Sequence, residues 1–410
     1  MFTTFSIWIM YFFSLYFVLF WFLVFLDKGV KEKSNKLKNF PSVTVAIPVY
    51  NGQEAIAKTI NSVLNLNYPK EKLQLIIVND GSKDNTKKIV EKIIKKHKKS
   101  NILLINQQNQ GKGAALNTAL KNTKSKFFVS LDADSFVRED ALQKLIPCFK
   151  NEKTAAVLPL VKLDNRKSII EKIQSCEYLI NFFYKRVMSN MDCIHVAPGP
   201  FSVYKTEIIK KLKGFDENNL TEDMEITLRL QKHHYQITQI LSAEILTIAP
   251  KTFKEFYKQR NRWYKGTIFN MIKYKEMLFN PKYGELGVFF LPTVLLSAIF
   301  SVLSVYLLYT LIFRPLFNWL YDISFIHFNL IPIINNGLSS FTFLDINLSN
   351  LFFAVTIFAL VIIWLVFSYK HTNEKVKTYT AFYIFLYPSI MAIIWLGVLF
   401  DLIRGKKQKW

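Results

Sequence analysis

Residues 43–48 read Val-Thr-Val-Ala-Ile-Pro and residues 73–78 read Leu-Gln-Leu-Ile-Ile-Val, two short apolar runs that decide the fold. Each run is rich in aliphatic residues and is closed by a proline or a polar turn, which is typical of a strand buried on both faces. The segment between them, residues 54–64, predicts a helix. A strand, a helix and a second strand in this order begin an α/β domain.

The same alternation continues along the chain. A polar turn at residues 79–82 leads into a predicted helix that runs to Lys96, and residues 102–105 predict a third strand. A helix over residues 114–120 and a fourth strand over residues 127–131 follow. This order predicts an α/β fold with a mostly parallel, Rossmann-like sheet covered by helices on both faces. Ligands of such sheets bind beyond the carboxyl ends of the strands, so the polar residues there form the candidate site.

Long uncharged segments lie at both ends of the 410-residue chain, of which 51% is hydrophobic. Four segments reach the ~20 residues that a helix needs to span hydrocarbon, and they predict four transmembrane helices: residues 1–26, 286–313, 346–369 and 378–400. Buried core helices of a soluble protein are the alternative, but such helices seldom run uncharged for so long. Residues 317–338 are a weaker candidate for a fifth span or a re-entrant segment, because they contain Asp322 and His327.

The charge distribution predicts the orientation of the chain. The formal net charge is +23, and most of the basic excess lies between Lys28 and Glu285. By the positive-inside tendency this stretch faces the cytoplasm of a multi-pass plasma-membrane protein. The first segment lacks the basic start of a signal peptide, so it is interpreted as an anchor with its N-terminus outside. Anionic lipids and an anionic substrate account for the charge, and the dispersed basic residues predict no nucleic-acid partner.

Two acidic motifs follow predicted strands. Asp132 and Asp134 come directly after the fourth strand, where both carboxylates can converge on Mg²⁺ or Mn²⁺ and so neutralise a diphosphate. An acidic pair of this kind is also common in ordinary turns. Asp80 ends the second strand and can accept a hydrogen bond from a nucleobase N–H. Its alternative role is to cap the following helix, which Ser82 or Asp84 could equally do.

Two further polar segments precede predicted helices. Lys112, within Asn-Gln-Gly-Lys-Gly at residues 109–113, offers a cation and flexible backbone beside a helix start, a suitable site for an anion. A plain turn has the same composition. Glu222 and Asp223 belong to a cluster of acids at residues 219–225. Because a helix start favours acids, these residues either cap the helix or supply a carboxylate that deprotonates an acceptor hydroxyl.

Residues 169–183 and 253–271 are amphipathic at helical spacing. The second segment mixes aromatic and basic residues and predicts a helix at the membrane interface, with an ordinary packed helix as the alternative. It carries Gln259, Arg262 and Trp263. Arginine suits a diphosphate and tryptophan suits the apolar face of a sugar, although anchoring in lipid headgroups is a competing role for the tryptophan.

Five short motifs in this order resemble those of the family 2 glycosyltransferases, whose membrane-bound branch includes the cellulose, chitin, hyaluronan and poly-N-acetylglucosamine synthases. The motifs are Pro48-Val49-Tyr50-Asn51, Asp80-Gly81-Ser82, Asp132-Ala133-Asp134, Thr221-Glu222-Asp223 and Gln259-Arg260-Asn261-Arg262-Trp263. The resemblance covers residues 43–266 and implies a GT-A fold. It also implies an inverting, metal-dependent enzyme that uses Mg²⁺ or Mn²⁺ and a nucleotide-sugar donor, with a UDP-sugar preferred.

The resemblance also implies a role for each matching position. The nucleotide-sugar would be bound by Tyr50, Asp80, Lys112 and Asp132. Asp134 would ligate the metal, and Asp223 would be the general base. The diphosphate and the acceptor would be bound by Gln259, Arg262, Trp263, Glu222 and Gly199.

The predicted organisation has four parts: an N-terminal transmembrane helix (residues 1–27), a GT-A domain (28–250), an amphipathic interfacial segment (251–285) and a C-terminal transmembrane region of about three helices (286–410). The predicted function is processive extension of a polysaccharide. The alternatives are transfer of a single sugar to a lipid acceptor, and a non-catalytic membrane subunit of a glycan export complex. Membrane lipids, a glycan or lipid acceptor, and a homo-oligomer or an accessory subunit are the expected partners.

Overall fold

The computed structural model describes residues 2–29, 37, 39–164, 166–325 and 348–405. The strands are β1 (Val43–Val49), β2 (Leu73–Asp80), β3 (Ile102–Gln107), β4 (Phe127–Ser130), β5 (Ser135–Val137), β6 (Thr154–Leu163), β7 (Ser202–Lys205) and β8 (Gln236–Thr247). The helices of the first half are α1 (Phe2–Lys28), α2 (Ile56–Leu64), α3 (Thr86–Lys96), α4 (Lys112–Lys121), α5 (Ala141–Leu145), α6 (Ile169–Ser189) and α7 (Thr206–Lys211). They are followed by α8 (Glu222–Lys232), α9 (Phe253–Lys273), α10 (Leu291–Leu308), α11 (Arg314–Phe325), α12 (Leu348–His371) and α13 (Thr380–Ile403).

All eight strands form one sheet, in the order β3-β2-β1-β4-β7-β6-β8-β5. The first four strands pair in parallel, with Val43 opposite both Leu73 and Phe127. These are the four strands that the sequence predicts, and each is confirmed to within a few residues. The other half is mixed, because β7 runs antiparallel to β4 and β6 whereas β8 runs parallel to β6. The result is an α/β domain with a mixed, mostly parallel sheet.

Helices cover both faces of the sheet, because successive side chains of a strand point to opposite sides. In β1, Val45 and Ile47 belong to a core shared with α2, α3 and α5, whereas Ala46 belongs to a core shared with α4 and α6. The second core continues into α1 through Trp21, which is 3% exposed. The alternating side chains of β1 therefore pack against two separate helix layers. The layer that contains α4 and α6 also contacts the apolar helix α1.

Three apolar helical stretches among the described residues are long enough to cross a membrane: Phe2–Lys28, Leu286–Phe325 and Thr380–Ile403. They correspond to three of the four predicted spans. The fourth, residues 346–369, falls on α12, in which the described apolar stretch Phe358–His371 is shorter than a span. Residues 346 and 347 lie outside the described residues. The candidate fifth span overlaps α11 up to Phe325, and its remaining part also lies outside them.

Helix α9 is packed firmly between the sheet domain and α13. Lys265 of α9, which is buried, forms an ion pair of 2.7 Å with Asp401 of α13. Asn261 donates a hydrogen bond of 3.2 Å to the same carboxylate. Tyr257 lies against Gly397 so closely that any Cβ there would collide with its hydroxyl. The helix predicted over residues 253–271 is therefore confirmed, and its polar face is used for buried contacts. Its location at the membrane interface stays a prediction.

Candidate functional site

A cavity of about 940 Å³ opens at the carboxyl ends of β1, β2 and β4. Every site residue that the sequence predicts lines this cavity: Tyr50, Asp80, Lys112, Asp132, Asp134, Gly199, Glu222, Asp223, Gln259, Arg262 and Trp263. The parallel strands explain the convergence of the first five, since their polar ends meet at one edge of the sheet. The other six come from the loop before β7 and from the helices α8 and α9.

Asp80 organises the loop that begins α4. One carboxylate oxygen accepts hydrogen bonds from the side chain of Gln107 at 2.8 Å and from the backbone of Gln110 at 3.0 Å. The other accepts from the backbone N–H of Gly111 at 2.8 Å. Asp80 does not cap the helix after the turn; Asp84 accepts from the backbone of Thr86 there at 3.0 Å. A nucleobase contact by Asp80 stays a prediction. Such a contact would have to use the carboxylate lone pairs that these three hydrogen bonds leave free.

Lys112 bridges two predicted site residues. Its ammonium lies 2.6 Å from Asp132 and 2.9 Å from Glu222. Burial disfavours the charged form, but the carboxylates of Asp132, Glu222 and Asp223 outweigh it and raise the pKa of Lys112. Lys112 is therefore a fixed cation at the start of α4, where the helix dipole also favours an anion.

Gly199 presses its backbone against this ion pair. A Cβ at this position would lie 2.5 Å from the Lys112 nitrogen and 2.6 Å from an Asp132 oxygen, far inside van der Waals contact. The loop over residues 197–201 therefore closes onto the pair only because residue 199 has no side chain. This close approach gives the predicted role of Gly199 a steric basis.

Asp134 faces the open cavity beside Asp132. Desolvation by the surrounding protein, followed by the charge of Asp132, raises the pKa of Asp134 to about 6. A carboxylate that the protein leaves short of positive charge, next to a second carboxylate, fits a divalent cation with oxygen ligands. The described residues hold no cluster of three or more acidic, histidine or cysteine ligands. The pair therefore suits Mg²⁺ or Mn²⁺ completed by phosphate and water oxygens, rather than an all-protein site.

Asp223 lies in the first turn of α8, and its neighbours in α9 hold that turn in place. Arg262 donates to the backbone carbonyl of Leu220 at 3.1 Å, and Asn270 donates to the hydroxyl of Thr221 at 3.0 Å. Burial, followed by the charge of Glu222, raises the pKa of Asp223 to about 6. A carboxylate with this pKa is a better proton acceptor than an ordinary aspartate near neutral pH.

Arg260 lies behind the predicted acceptor-binding side chains. Its guanidinium forms a buried ion pair of 2.5 Å with Glu177 of α6, and it donates to the side-chain oxygen of Gln259 at 2.6 Å. The same group lies over the ring of Trp263, 4.1 Å from its centroid. One buried cation therefore fixes both Gln259 and Trp263, and Glu177 fixes the cation. Because Trp263 lines the cavity, it is placed to contact a ligand there.

The sequence predictions missed the wall that α6 contributes to the cavity. The cavity is lined there by Glu177, Tyr178, Asn181 and Lys185, whereas the sequence predicts α6 only as an amphipathic helix. A signal was present, because Glu177, Asn181 and Lys185 recur four residues apart and therefore lie along one side of the helix. From sequence alone, a polar helix face is expected to be exposed to solvent, and only the structure shows that this face lines the cavity.

Comparisons with known proteins give one family match and several relatives. The family model for glycosyl transferase family 2 matches residues 44–213. A poly-beta-1,6-N-acetyl-D-glucosamine synthase of Staphylococcus epidermidis is 34% identical over 226 residues, which are 55% of this chain and 54% of that protein. The enzyme of the same name from Staphylococcus aureus strain COL is 31% identical over 263 residues, or 62% of this chain and 63% of that protein. The chain thus spans between half and two thirds of the length of these relatives.

A solved structure extends the likeness to the fold as a whole. The mannosyltransferase PcManGT from Pyrobaculum calidifontis, in complex with GDP-Man and Mn²⁺, matches with a TM-score of 0.64 at 16% sequence identity, and the match covers 99% of both chains. At that identity the likeness shows the fold alone. Together with the family match, it shows a GT-A fold in a chain whose residues 44–213 match the model for glycosyl transferase family 2.

Proposed function

We propose that this protein is a membrane-bound, inverting glycosyltransferase that moves a sugar from a nucleotide-sugar, a UDP-sugar, to a growing polysaccharide. The observation that carries the proposal is the meeting of three groups in one cavity: the acidic pair Asp132 and Asp134, the raised-pKa carboxylate of Asp223, and the ring of Trp263. They supply the diphosphate site, the proton acceptor and the sugar platform that such a transfer needs.

The names of the relatives support a polysaccharide product. Both are poly-beta-1,6-N-acetyl-D-glucosamine synthases, so N-acetylglucosamine is the first sugar to test. The structural neighbour PcManGT binds GDP-Man, which makes GDP-mannose the matched second donor. Processive extension is the form of the proposal. Its support is that Trp263 lines the cavity on α9, a helix that packs against the apolar helix α13.

Asp223 is the general base of the proposed step. In the proposed step, an acceptor hydroxyl attacks the anomeric carbon in line with the departing diphosphate, and Asp223 takes the hydroxyl proton. The bond to the diphosphate breaks as the new glycosidic bond forms, so the configuration at that carbon inverts. Arg262 and Lys112 lie in the same cavity and are the cations available to the negative charge of the leaving group.

Asp134, with Asp132 beside it, would hold Mg²⁺ or Mn²⁺. When bound, such an ion neutralises the diphosphate and so makes it a better leaving group. The Mn²⁺ in the PcManGT complex supports this proposal. The transfer assay with either Mn²⁺ or Mg²⁺ decides between the two metals.

The membrane arrangement belongs to the same proposal. Residues 1–27 would anchor the chain in the plasma membrane, residues 28–250 would form the cytoplasmic transferase domain, residues 251–285 would lie at the interface, and residues 286–410 would return through the bilayer. The apolar helices and the basic charge of the domain support this arrangement. Transfer of one sugar to a lipid acceptor is the second candidate, favoured by Tyr387 of α13 and Tyr184 at the cavity wall, since both lie near apolar helices.

The test is to incubate the purified protein in lipid nanodiscs with Mn²⁺ or Mg²⁺ and radiolabelled UDP-N-acetylglucosamine or GDP-mannose, and then to size the product by chromatography. A polymer ladder from the UDP-sugar is expected. One discrete lipid-soluble product would favour the second candidate instead.

Asp223→Asn is the matched control for the chemistry. This change should lower transfer by about 10²–10⁴-fold while donor binding is kept, because it removes a proton acceptor and preserves the shape of the side chain. A variant that transfers normally would refute the assigned base. Loss of donor binding in the same variant would show that Asp223 acts at the nucleotide instead.

A further inference from the structure

One face of α9 holds the stretch of chain that carries the proposed base. Arg262, Gly266 and Asn270 follow at intervals of four residues, so they lie along the same side of the helix. All three contact residues 215–225, called the base segment because it includes Asp223. The proposed base is therefore attached to α9 as well as to its own helix.

Asn270 is at the centre of this contact, and its side chain is fully buried. Its amide nitrogen donates to the hydroxyl of Thr221 at 3.0 Å and to the side-chain oxygen of Asn219 at 3.3 Å. Its oxygen accepts from the amide of Asn219 at 2.7 Å. Asn219 in turn accepts from the backbone N–H of Thr221 at 3.0 Å. These bonds fix the backbone just before Asp223.

Gly266 brings α9 close to the same place. A Cβ at this position would collide with the side chain of Thr221. Glycine is unfavourable inside a helix, so its presence within α9 is explained by this close approach. Two turns further along, Lys273 forms ion pairs of 2.7 Å with Asp216 and 2.8 Å with Glu225. The contact with α9 thus extends along most of the base segment.

The base segment has a second attachment, to α4 on the donor side of the cavity. Asn117 of α4 donates to the carbonyl of Phe215 at 2.8 Å and accepts from its N–H at 2.8 Å. Lys112 at the start of the same helix pairs with Glu222. Helix α4 therefore holds the base segment near the diphosphate site, whereas α9 holds it in register with Trp263.

We propose that Asn270 is a positioning residue that places the base Asp223 opposite the acceptor sugar at Trp263. The inference rests on the proposed function, because it concerns the same base. A glycan hydroxyl is held by the contact of its sugar with Trp263, so it loses its proton only where the base lies opposite to it. Water is held by no such contact and can follow the base.

The loss of Asn270 should therefore impair transfer to the glycan more than hydrolysis of the donor. In hydrolysis, water attacks the anomeric carbon, Asp223 takes a proton from it and the nucleoside diphosphate leaves. This step needs the attachment to α4, which the loss of Asn270 does not touch. It does not need the register between the base and Trp263.

The experiment uses the full chain in lipid nanodiscs with radiolabelled UDP-N-acetylglucosamine. Label in polymer measures transfer, and free labelled N-acetylglucosamine measures hydrolysis in the same sample. Asn270→Leu, which has a side chain of similar shape, should lower transfer about 10- to 100-fold and change hydrolysis less than about threefold. An equal fall in both rates would show a merely structural role and overturn the proposal, and so would unchanged transfer.

A milder pair of variants tests the same contact from the other side. Thr221→Val removes the hydroxyl that accepts from Asn270, whereas Thr221→Ser keeps it. The ratio of transfer to hydrolysis should fall in the first variant and stay at the wild-type value in the second. Equal ratios in these two variants would contradict the proposal.

Gln239→Leu is the matched control, because Gln239 is a buried amide that donates to backbone carbonyls away from the cavity. This change should lower the thermal midpoint without changing the ratio of transfer to hydrolysis. A ratio that falls here as well would show that it reports stability, and would overturn the proposal.

Hydrogen exchange tests the attachment without turnover. In Asn270→Leu, the backbone amides of the base segment should exchange at least about fivefold faster than in the wild type, because lost buried hydrogen bonds make local opening easier. Peptides from β1 and β2 should exchange as in the wild type. Unchanged exchange in the base segment would overturn the proposal whether or not the protein transfers sugar. Absence of transfer by the wild type would instead refute the proposed function.

Discussion

Removal of either member of the Glu177–Arg260 pair should lower both stability and transfer. Arg260 is 1% exposed and Glu177 is 4% exposed. Arg260→Met therefore leaves the Glu177 carboxylate buried without its partner, and Glu177→Leu leaves the Arg260 guanidinium buried without its partner. Breaking a buried pair in this way costs about 3–5 kcal/mol. For a domain of this size that corresponds to a fall of roughly 6–20 °C in the thermal midpoint.

The double variant Glu177→Leu with Arg260→Met separates stability from positioning. An apolar pair of similar volume removes both buried charges, so the thermal midpoint in nanodiscs should return to within a few degrees of the wild type. Transfer should remain at least about tenfold low, because Gln259 and Trp263 have lost the cation that orients them. If the double variant recovers turnover as well as its thermal midpoint, the positioning role of Arg260 is refuted. If the single variants keep the thermal midpoint of the wild type, the stabilising role of the ion pair is refuted.

Three further changes test other parts of the site. The pKa of Asp223 is raised to about 6, so its carboxylate becomes protonated as the pH falls through 6. Below that pH, kcat/KM should decline about tenfold per pH unit. A flat profile from about pH 5 to 7 would exclude Asp223 as the titrating base. Chelation by EDTA should abolish transfer, and Asp134→Asn should require at least about tenfold more Mn²⁺ for half-maximal rate; the same requirement in both proteins would remove Asp134 from the metal site. Gly199→Ala should lower transfer roughly 10- to 100-fold with little change in thermal midpoint, since its Cβ would displace the Lys112–Asp132 pair; normal kinetics would show that the loop can withdraw.

The first half of the fold was predictable because its signals are local. Strands β1 to β4 are short apolar runs ended by polar turns, and a parallel sheet buries such strands on both faces. Their polar ends gave Asp80, Asp132 and Asp134, and the parallel order brought those residues to one edge. Residues far apart in sequence could therefore be assigned to one cavity without a structure.

The second half carries weaker signals. Strand β6 contains Pro159 and Lys162, and β8 mixes polar and apolar residues over 12 positions without a regular alternation, so neither has the sequence pattern of a buried central strand. The partners of charged residues were also hidden. Glu177 and Arg260 are 83 residues apart, and no pattern along the chain indicates that they neutralise each other in the interior. Lys185 looks like a solvated lysine until the cavity across from it is known.

In the proposed membrane arrangement, the attachment of α9 to α13 would let the bilayer influence the proposed transfer reaction mechanically. Tyr257, Asn261 and Lys265 hold one side of α9 to the last helix, and Trp263 lies between two of these attachment points. A spanning helix responds to a bilayer thinner or thicker than its apolar length by changing its tilt. We therefore expect a tilt of α13 to shift α9, and with it the ring of Trp263, relative to the sheet. Acyl-chain length should therefore act as an effector of this enzyme, with turnover highest in one thickness of lipid and lower on either side of it.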